Sequence, residues 1–408
     1  MKVYIGIDWS EQKHQVCFMN EAGAVIQQMS VEHSVEGFLK LEAARQKLGV
    51  SPKEVVVGLE TAHNLLIDML IERSYPAIYI LPPNQVKSNA GRYAQSGAKD
   101  DTRDAWVIAD MLRTDRGRLH AWQPDTLLTR QIQAQVRMVL FLTRMIQRQS
   151  NHLRAILVRY YPAMLDIFSR LDSPTSLAFL EAYPIPQEAV RLTYEQFTQF
   201  LRVHHHTHRA KWATMYAQLN HDYPQAHSDT IAVLAPQAKQ CAILLLPFIQ
   251  AKKHALAELQ KLYRQHPDVA IYEHLPGVGD FLAPALLAKL GDDRLRFPNR
   301  QVLQAIAGTC PITRRSGKSK FIQFRRACDL QFRYIVHQWA VQAIKQSPWV
   351  QTYYQELLKR HIGKNDATRR VANRLLAILY KLWQSHASYD ETYYLQQRAL
   401  RAKPLPKA

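Results

Sequence analysis

The first 120 residues alternate short apolar stretches with amphipathic ones, and this pattern predicts an α/β domain. Val3, Ile5 and Ile7 occupy every second position, which is typical of a strand with one buried face. Further strands are predicted at 14–19, 24–29, 55–59 and 77–81, and helices at 35–48 and 65–72. A three-strand meander followed by strand–helix alternation matches a ribonuclease H-like sheet.

Beyond residue 120 the apolar spacing changes to three, four and seven, and the rest of the chain is predicted to be mainly helical. Residues 126–160 contain neither Gly nor Pro and predict one long helix. Arg130, Arg137 and Arg144 recur every seven residues, so they form one stripe on it. Such a helix could pair as a coiled coil and contact a phosphate backbone, or the stripe could simply be solvated.

The overall prediction is therefore an α/β plus α protein with three parts. Residues 1–120 form the α/β domain, 121–268 a helical connector with an insertion, and 269–408 a mainly helical C-terminal domain. Residues 162–250 contain no motif that indicates a chemistry, and a charged helix is predicted at 249–266.

Charge is distributed unevenly along the chain, whose formal net charge is +19. Residues 1–120 hold 14 basic and 15 acidic residues, whereas residues 300–383 hold 16 basic and 3 acidic residues. One part is thus acidic enough to hold a metal ion, and another is basic enough to hold a phosphate backbone. A basic surface that serves only solubility is the alternative.

Other sequence features exclude several classes of protein. The four cysteines are scattered without a C-x-x-C pair, which argues against a zinc site or disulfide framework and suits a reducing cytoplasm. No apolar run reaches the roughly 18–20 residues of a membrane span, and Asp8 interrupts what would be a signal peptide. We therefore expect a cytoplasmic protein without a membrane partner.

Two acidic residues follow predicted strands, and two more lie just before a predicted helix. Asp8 and Glu60 come after buried strands, at the sheet edge where ligands gather in open α/β folds. Asp101 and Asp104 are three residues apart, so on a helix they share a face. Four converging carboxylates repel one another unless cations lie between them, and such ligands suit Mg²⁺ or Mn²⁺. The alternative for the second pair is a helix N-terminus stabilised by acidic side chains.

The C-terminal part contains two candidate phosphate-binding segments. L-P-G-V-G at 275–279 resembles a helix-hairpin-helix turn, in which glycines permit a tight backbone and the amides of the next helix bind phosphate. Ser316 lies in a glycine-containing loop rich in cations, which could activate its hydroxyl as a nucleophile; a serine that only contacts phosphate is the alternative. The residues predicted to contact nucleic acid are Gly277, Gly279, Arg314, Arg315, Lys318, Lys320, Arg325, Arg326, Arg130, Arg137 and Arg144.

These motifs together resemble the DEDD transposases of the insertion sequence 110 family, which also include Piv-type DNA invertases. The N-terminal part of the resemblance is G-I-D-W at 6–9, Glu60, and K-x-D-x-x-D-A at 99–105. The C-terminal part is L-P-G-V-G at 275–279, A-G-x-x-P at 307–311 and S-G at 316–317. The resemblance covers the whole chain and is weak over 162–250.

The resemblance implies a RuvC-like domain, a coiled-coil connector and a helical transposase domain. It implies that Asp8, Glu60, Asp101 and Asp104 bind metal, with Asp100 at a variable position, and that Ser316 joins covalently to DNA. It further implies a homo-oligomer, a dimer or tetramer, with acids from one protomer and serine from another. The expected partners are donor and target DNA and a noncoding bridge RNA, and the expected location is the bacterial nucleoid.

Three other functions remain open at this point. A Piv-like invertase would use the same residues without a guide RNA. A Holliday-junction nuclease would use water as the nucleophile, so that Ser316 would be dispensable. A noncatalytic nucleic-acid-binding protein would keep its function when the acids are neutralised.

Overall fold

The structure is a computed structural model that describes residues 1–62, 65–91, 101–317 and 319–402. Its chain divides into two compact units, residues 1–125 with 293–298, and residues 126–292 with 299–408. Among the described residues, the first unit is mixed α/β and the second is mainly helical. The α/β start and helical remainder predicted from the hydrophobic pattern are confirmed.

The first unit is built around a five-stranded sheet. Its strands are β1 (Val3–Asp8), β2 (Lys13–Asn20), β3 (Val25–Glu32), β4 (Val55–Leu59) and β5 (Ile78–Ile80). Its helices are α1 (Val35–Lys47), α2 (Leu65–Glu72), α3 (Pro83–Ala90) and α4 (Asp101–Asp115). The strand order is β3-β2-β1-β4-β5, with β1 antiparallel to β2 and parallel to β4.

Alternation along β1 and β4 divides their side chains between two apolar cores, one on each face of the sheet. Val3, Ile5 and Ile7 are buried in one core together with residues of α1 and α2. Tyr4 of β1 and Val56 of β4 belong to the other core, which contains the apolar residues of α4. Both faces of the central strands are therefore covered, as is usual where parallel strands pair.

The second unit contains fourteen α-helices and one hairpin among its described residues. The helices are α5 (Leu127–Tyr160), α6 (Ala163–Ile167), α7 (Pro174–Ala182), α8 (Pro186–Ala189), α9 (Tyr194–Val203), α10 (Trp212–Leu219), α11 (Ser228–Tyr263), α12 (Val269–Tyr272), α13 (Gly279–Leu290), α14 (Arg300–Ile306), α15 (Leu330–Gln346), α16 (Pro348–Lys359), α17 (Lys364–Ser385) and α18 (Glu391–Ala402). The hairpin strands are β6 (Ile312–Ser316) and β7 (Ser319–Gln323).

Helices α5 and α11 are the longest of these, and they pack on each other. The second half of α5, through Leu153 and Leu157, shares one apolar core with the first half of α11, through Leu234 and Leu245. Helices α6 to α10 add their apolar residues to the same core. The stretch from 162 to 250 thus builds a helical core around this pair.

The helix predicted at 249–266 is wrong in its start, because it is the second half of α11, which begins at Ser228. Pro236 and Pro247 lie inside α11, and both are exposed. A proline leaves one helix carbonyl without its N–H partner, and on an exposed face water can take that place.

Helix α11 is also the one described helix that would be long and apolar enough, by length and composition, to cross a membrane. Its buried residues pack against α5, as those of a core helix do.

Candidate functional site

The ends of strands β1 and β4 bring two of the predicted acidic residues to neighbouring positions. The two strands pair in parallel, with Ile7 opposite Leu59. Asp8 and Glu60 come directly after these paired residues, and both are half-buried. The register therefore places two carboxylates side by side at the carboxyl edge of the sheet, where open α/β folds bind ligands.

A pair of glycines brings helix α4 onto the same face of the sheet. Gly6 of β1 lies opposite Gly58 of β4. A Cβ on Gly6 would overlap the carbonyl oxygen of Ala105, and one on Gly58 would lie 2.8 Å from Ile108 Cγ2. Side chains two residues apart in a strand share a face, so Asp8 lies on the α4 side, and Glu60 continues the alternation from Gly58.

Helix α4 carries the other two predicted acids in its first turn. Asp104 is half-buried and directly precedes Ala105, the residue that packs on Gly6. Asp101 is the first residue of the helix, but its side chain is outside the described part of the chain, as are Lys99 and Asp100. Within the described part, no three His, Cys, Asp or Glu side chains are grouped closely enough to hold a metal ion. The backbone directs Asp8, Glu60 and Asp104 to the same side of the sheet, but their side chains as described do not form a grouped metal site.

A histidine pair supports the loop that follows Asp8, and the sequence analysis did not identify it. His14 is fully buried, and its Nδ1 accepts a hydrogen bond from the backbone N–H of Ser10 at 3.3 Å. The ring proton of the neutral form therefore lies on Nε2, which donates to Nδ1 of His33 at 3.0 Å. Burial, together with the neighbouring His33, lowers the pKa of His14 to about 4, so it stays neutral at physiological pH.

Ser316 is the last residue of β6, at the turn of the β6–β7 hairpin. It pairs with Ser319, and Gly317 in the turn has a φ of 53°, which favours glycine. Ser316, Arg314 and Arg315 are all exposed. The loop expected at this position is therefore wrong in detail, because two short strands hold Ser316 at the tip of a defined hairpin.

The cationic neighbours of Ser316 are divided between the two faces of the hairpin. Arg314 is two residues before Ser316 on the same face, and a cavity of about 530 Å³ on this side is lined by Arg314 and Arg326. Arg315 lies on the other face, opposite Lys320. Lys318 and the side chain of Lys320 are outside the described residues.

The base of the hairpin is fixed by two arginines. Arg333 of α15 donates through Nη2 to the backbone carbonyls of Arg325 at 2.5 Å and of Arg326 at 3.3 Å. Arg325 donates through Nε to the carbonyl of Cys310 at 3.3 Å, just before β6. Arg325 thus connects the chain that enters the hairpin to the chain that leaves it. Arg333 was not identified from the sequence, because its role depends on contacts with carbonyls.

The L-P-G-V-G segment places its two glycines differently. Gly277 is buried with a φ of 79°, and a Cβ there would overlap the backbone of Ala343 in α15. Its structural role is therefore close packing on α15. Gly279 is exposed, begins α13 with a φ of 52°, and would have no atom within 4 Å of a Cβ. Of the two glycines, Gly279 is the one open to a ligand.

The predicted arginine stripe lies on the solvent side of α5. Arg130, Arg137 and Arg144 are all exposed, whereas Ile132, Val139 and Ile146 on the other side are buried. The same exposed side also carries Phe141, which is 55% exposed.

Two family models match this chain, one over its N-terminal part and one over its C-terminal part. A DEDD transposase model of the IS110 type, described as a transposase, matches residues 5–162. A second model, described as the IS116/IS110/IS902 transposase family, matches residues 270–355. The first match contains Asp8, Glu60, Asp101 and Asp104, and the second contains Ser316.

Similar proteins align over nearly the whole chain. The "Mini-circle putative transposase for IS117" of Streptomyces coelicolor is 29% identical over 403 residues, covering 96% of each chain. The insertion element IS900 42 kDa protein of Mycobacterium paratuberculosis is 26% identical, covering 95% of this chain and 97% of its own. The insertion element IS110 43.6 kDa protein of S. coelicolor is 24% identical, covering 95% of each. With both family matches in order along the chain, this protein belongs to the IS110 family of DEDD transposases.

Proposed function

We propose that this insertion-sequence transposase exchanges DNA strands through a covalent link to Ser316, with Mg²⁺ or Mn²⁺ held by Asp8, Glu60, Asp101 and Asp104. The observation that carries the metal half of the proposal is the pairing of β1 with β4. In this register Asp8 and Glu60 each follow one of two paired residues, on strands whose glycines pack against α4, and this supports a shared site. Asp104, in the first turn of α4, would supply a third oxygen ligand once the carboxylates close around a cation.

The chemistry of these residues fits a hard divalent cation. Carboxylate oxygens are the ligands that Mg²⁺ and Mn²⁺ prefer, and no sulfur or imidazole ligand is needed. A bound cation would stabilise negative charge on a phosphodiester that is being exchanged. The carboxylates themselves would hold and orient the cation, and the close packing of α4 on Gly6 would limit movement of the neighbouring Asp104.

Ser316 would carry the covalent step. Its Oγ forms a bond to phosphorus, the bond from phosphorus to one deoxyribose oxygen breaks, and the serine proton is released as the leaving oxygen gains one. One phosphodiester is replaced by another, so rejoining needs no external energy source. Exposure of Ser316 at a hairpin tip, with Arg314 on the same face, supports access to a phosphate and stabilisation of its charge.

The same proposal includes the architecture that the family resemblance implies. The strand order β3-β2-β1-β4-β5 supports a RuvC-like, ribonuclease H-like domain at 1–120. The α5–α11 pair supports a helical connector at 121–268, followed by a transposase domain at 269–408. Donor and target DNA, a homo-oligomer with a composite site, and a nucleoid location follow from the family and the basic C-terminal part.

Guidance by a bridge RNA is proposed from the resemblance alone. A Piv-like invertase that recognises fixed sites would share every catalytic residue. Sequencing the nucleic acid that copurifies with the full chain separates the two, because a guided enzyme retains a defined noncoding RNA and an invertase does not.

The experiment for the nucleophile compares Ser316→Ala with Ser319→Ala. Ser319 is the cross-strand partner of Ser316 and lies in the same hairpin, so it is a matched control. Each full-length protein is incubated with Mg²⁺, its copurified RNA and DNA carrying the ends of its own insertion sequence. A denaturing gel then detects DNA that migrates with protein.

Wild type and Ser319→Ala should form the adduct, and Ser316→Ala should not. Ser316→Ala should still bind DNA, because one lost hydrogen bond to phosphate costs only about 0.5–1.5 kcal/mol. An adduct that persists in Ser316→Ala overturns the assignment. Wild-type cleavage that gives only free ends favours the nuclease alternative instead.

A further inference from the structure

A cavity of about 180 Å³ lies beside the base of the β6–β7 hairpin, in the second unit. Since one water molecule takes about 30 Å³ of liquid, the cavity can hold several waters or a phosphate group. Helices α15 and α17 contribute most of its lining, together with the residue that follows β7. Its polar and aromatic lining residues are Thr309, Phe324, Arg333, His337, Asn365 and Arg369.

Two arginines in this lining stack on one aromatic ring. The guanidinium carbon of Arg333 lies 4.6 Å from the ring centroid of Phe324, and that of Arg369 lies 4.5 Å from it. The ring attracts each cation, but the two like charges repel each other. Arg369 also forms an ion pair with Asp366 at 3.5 Å. Arg333 donates to backbone carbonyls, which do not neutralise its charge.

The Arg333 guanidinium also has a weakly satisfied donor. Its Nε is buried without a nitrogen or oxygen acceptor among the described residues, and the neighbouring group that interacts with this side chain is the Cys328 thiol. A Cβ on Gly308 would lie 2.7 Å from this nitrogen, so the absence of a side chain there gives the guanidinium its space. Buried donors are nearly always paired, and since a thiol sulfur is a weak acceptor, an oxygen of a bound anion would be a stronger partner for this guanidinium.

The other groups around the cavity also suit an anion. Asn365 is exposed and lies in the first turn of the 22-residue helix α17, whose N-terminus carries partial positive charge. Burial, and then the charge of Arg369, lower the pKa of His337. The charge of Arg369 therefore reaches the imidazole of His337 and disfavours its protonation.

We propose that this cavity binds one phosphodiester group of the DNA on which the transposase acts. The single negative charge of the phosphodiester would offset the charge of Arg333 and reduce the repulsion between the two guanidinium groups, and its oxygens would be stronger acceptors for Arg333 than the Cys328 sulfur. The inference rests on the proposed function in one respect, that the strand held here is the one attacked by Ser316. From Gln323 at the base to Ser319 beside Ser316 is four residue steps, about 14 Å of strand. A DNA strand that follows the hairpin rises about 3.4 Å per nucleotide, so the bound phosphate would be about four nucleotides from the attacked one.

The test compares Arg369→Gln with Arg370→Gln in full-length protein that also carries Ser316→Ala. Arg369 and Arg370 are adjacent in α17, and both pair with Asp366, but only Arg369 lines the cavity. The probe is a duplex with the end sequence of the element, in which one linkage at a time is an uncharged methylphosphonate. Because Ser316 is absent in every sample, binding is measured without strand exchange, and failure of the nucleophile assignment cannot mimic failure of this one.

Arg369→Gln should weaken binding of the unmodified duplex about tenfold, the loss expected for one charge-assisted hydrogen bond. When Arg369 and Arg370 are both present, a methylphosphonate at one linkage should weaken binding by a similar factor. That linkage should lie about four nucleotides from the cleavage site. Arg369→Gln should be insensitive to that methylphosphonate, whereas Arg370→Gln should remain sensitive. Asn365→Asp, an exposed change that adds negative charge beside the cavity, should weaken binding in the same way without altering the core.

Three results overturn the proposal. Equal losses of affinity in Arg369→Gln and Arg370→Gln, with no linkage at which a methylphosphonate weakens binding, would mean that both arginines act only by general electrostatic attraction. Unchanged binding in both Arg369→Gln and Asn365→Asp would mean that the cavity does not contact the strand. Weaker binding by Arg369→Gln alone, with no DNA linkage at which a methylphosphonate weakens binding, would mean that the cavity does not hold a DNA phosphate.

Discussion

Gly6 and Gly58 lie opposite each other on strands β1 and β4, and helix α4 packs directly on both. The two contacts differ in kind. A side chain on Gly6 would meet the backbone of α4 at Ala105 and Ala109, whereas one on Gly58 would meet the side chains of Ile108 and Leu112. Backbone atoms of a helix cannot move individually, but the ends of Ile and Leu side chains can.

The first prediction follows from that difference. Gly6→Ala should lower the free energy of unfolding by about 3 kcal/mol and strongly reduce strand exchange, because α4 and Asp104 are pushed away from the sheet. Gly58→Ala should cost about 1–2 kcal/mol and retain more activity, since Ile108 and Leu112 can repack. Urea unfolding and a recombination assay measure the two effects.

Gly117→Ala is the control, because a Cβ there would have no atom within 4 Å. Its stability and activity should match the wild type. If Gly6→Ala were as active and stable as Gly117→Ala, the close packing of α4 on Gly6 would not be needed to position Asp104.

The second prediction concerns the metal. Adding Mg²⁺ should raise the Tm of the wild type, because a ligand that binds only the folded state stabilises it. Asp8→Asn, Glu60→Gln, Asp101→Asn and Asp104→Asn should each reduce this rise and abolish strand exchange while the protein stays folded.

Asp100→Asn is the matched control, one residue from Asp101 in the chain. It should keep both the Mg²⁺ response and activity. Loss of both in Asp100→Asn, with Asp101→Asn unaffected, would transfer the ligand role to Asp100.

The outline of the first unit was predictable because local patterns determine it. Alternation at Val3, Ile5 and Ile7 revealed β1, and the acids at the strand ends marked the candidate site. The glycine pair was not understood from sequence, because Gly6 contacts Ala105, which is 99 positions away. The hairpin was taken for a loop because both of its faces are exposed, including Phe321 and Ile322, so no apolar alternation distinguishes it.

The third prediction concerns stability at low pH, through Asp292. This carboxylate accepts hydrogen bonds from the backbone N–H of Thr126 and from Thr129 Oγ1, both at 2.7 Å, and it contacts His266 at 3.2 Å. Burial alone would raise the pKa of Asp292, but the hydrogen bonds from His266, Thr126 and Thr129 outweigh it and hold the pKa well below its usual range. The charged form therefore stabilises the start of α5.

A group whose pKa is lowered on folding contributes stability above its unfolded pKa, about 3.9 for Asp, and loses it as the pH falls toward the folded pKa. Asp292→Asn should thus lower the free energy of unfolding by about 1.5–3 kcal/mol at neutral pH, and the gap to wild type should narrow below about pH 4. Urea unfolding at a series of pH values measures this gap. If the difference in unfolding free energy between Asp292→Asn and wild type does not change with pH, the substitution acts through packing and not through charge.

The last prediction concerns the arginines of the hairpin. Arg314 is on the Ser316 face and lines the cavity of about 530 Å³, whereas Arg315 is on the opposite face. Each phosphate contact steepens the salt dependence of duplex binding by about 0.9 log unit of affinity per log unit of salt. If one face of the hairpin meets the DNA, Arg314→Gln should flatten this slope by about 0.9 and reduce adduct formation by Ser316, while Arg315→Gln should leave both nearly unchanged. Fluorescence anisotropy at several salt concentrations, with full-length protein, gives the slopes. Equal flattening by the two variants would mean that the hairpin is inserted with DNA on both faces, and a slope unchanged in both would exclude these arginines from the interface.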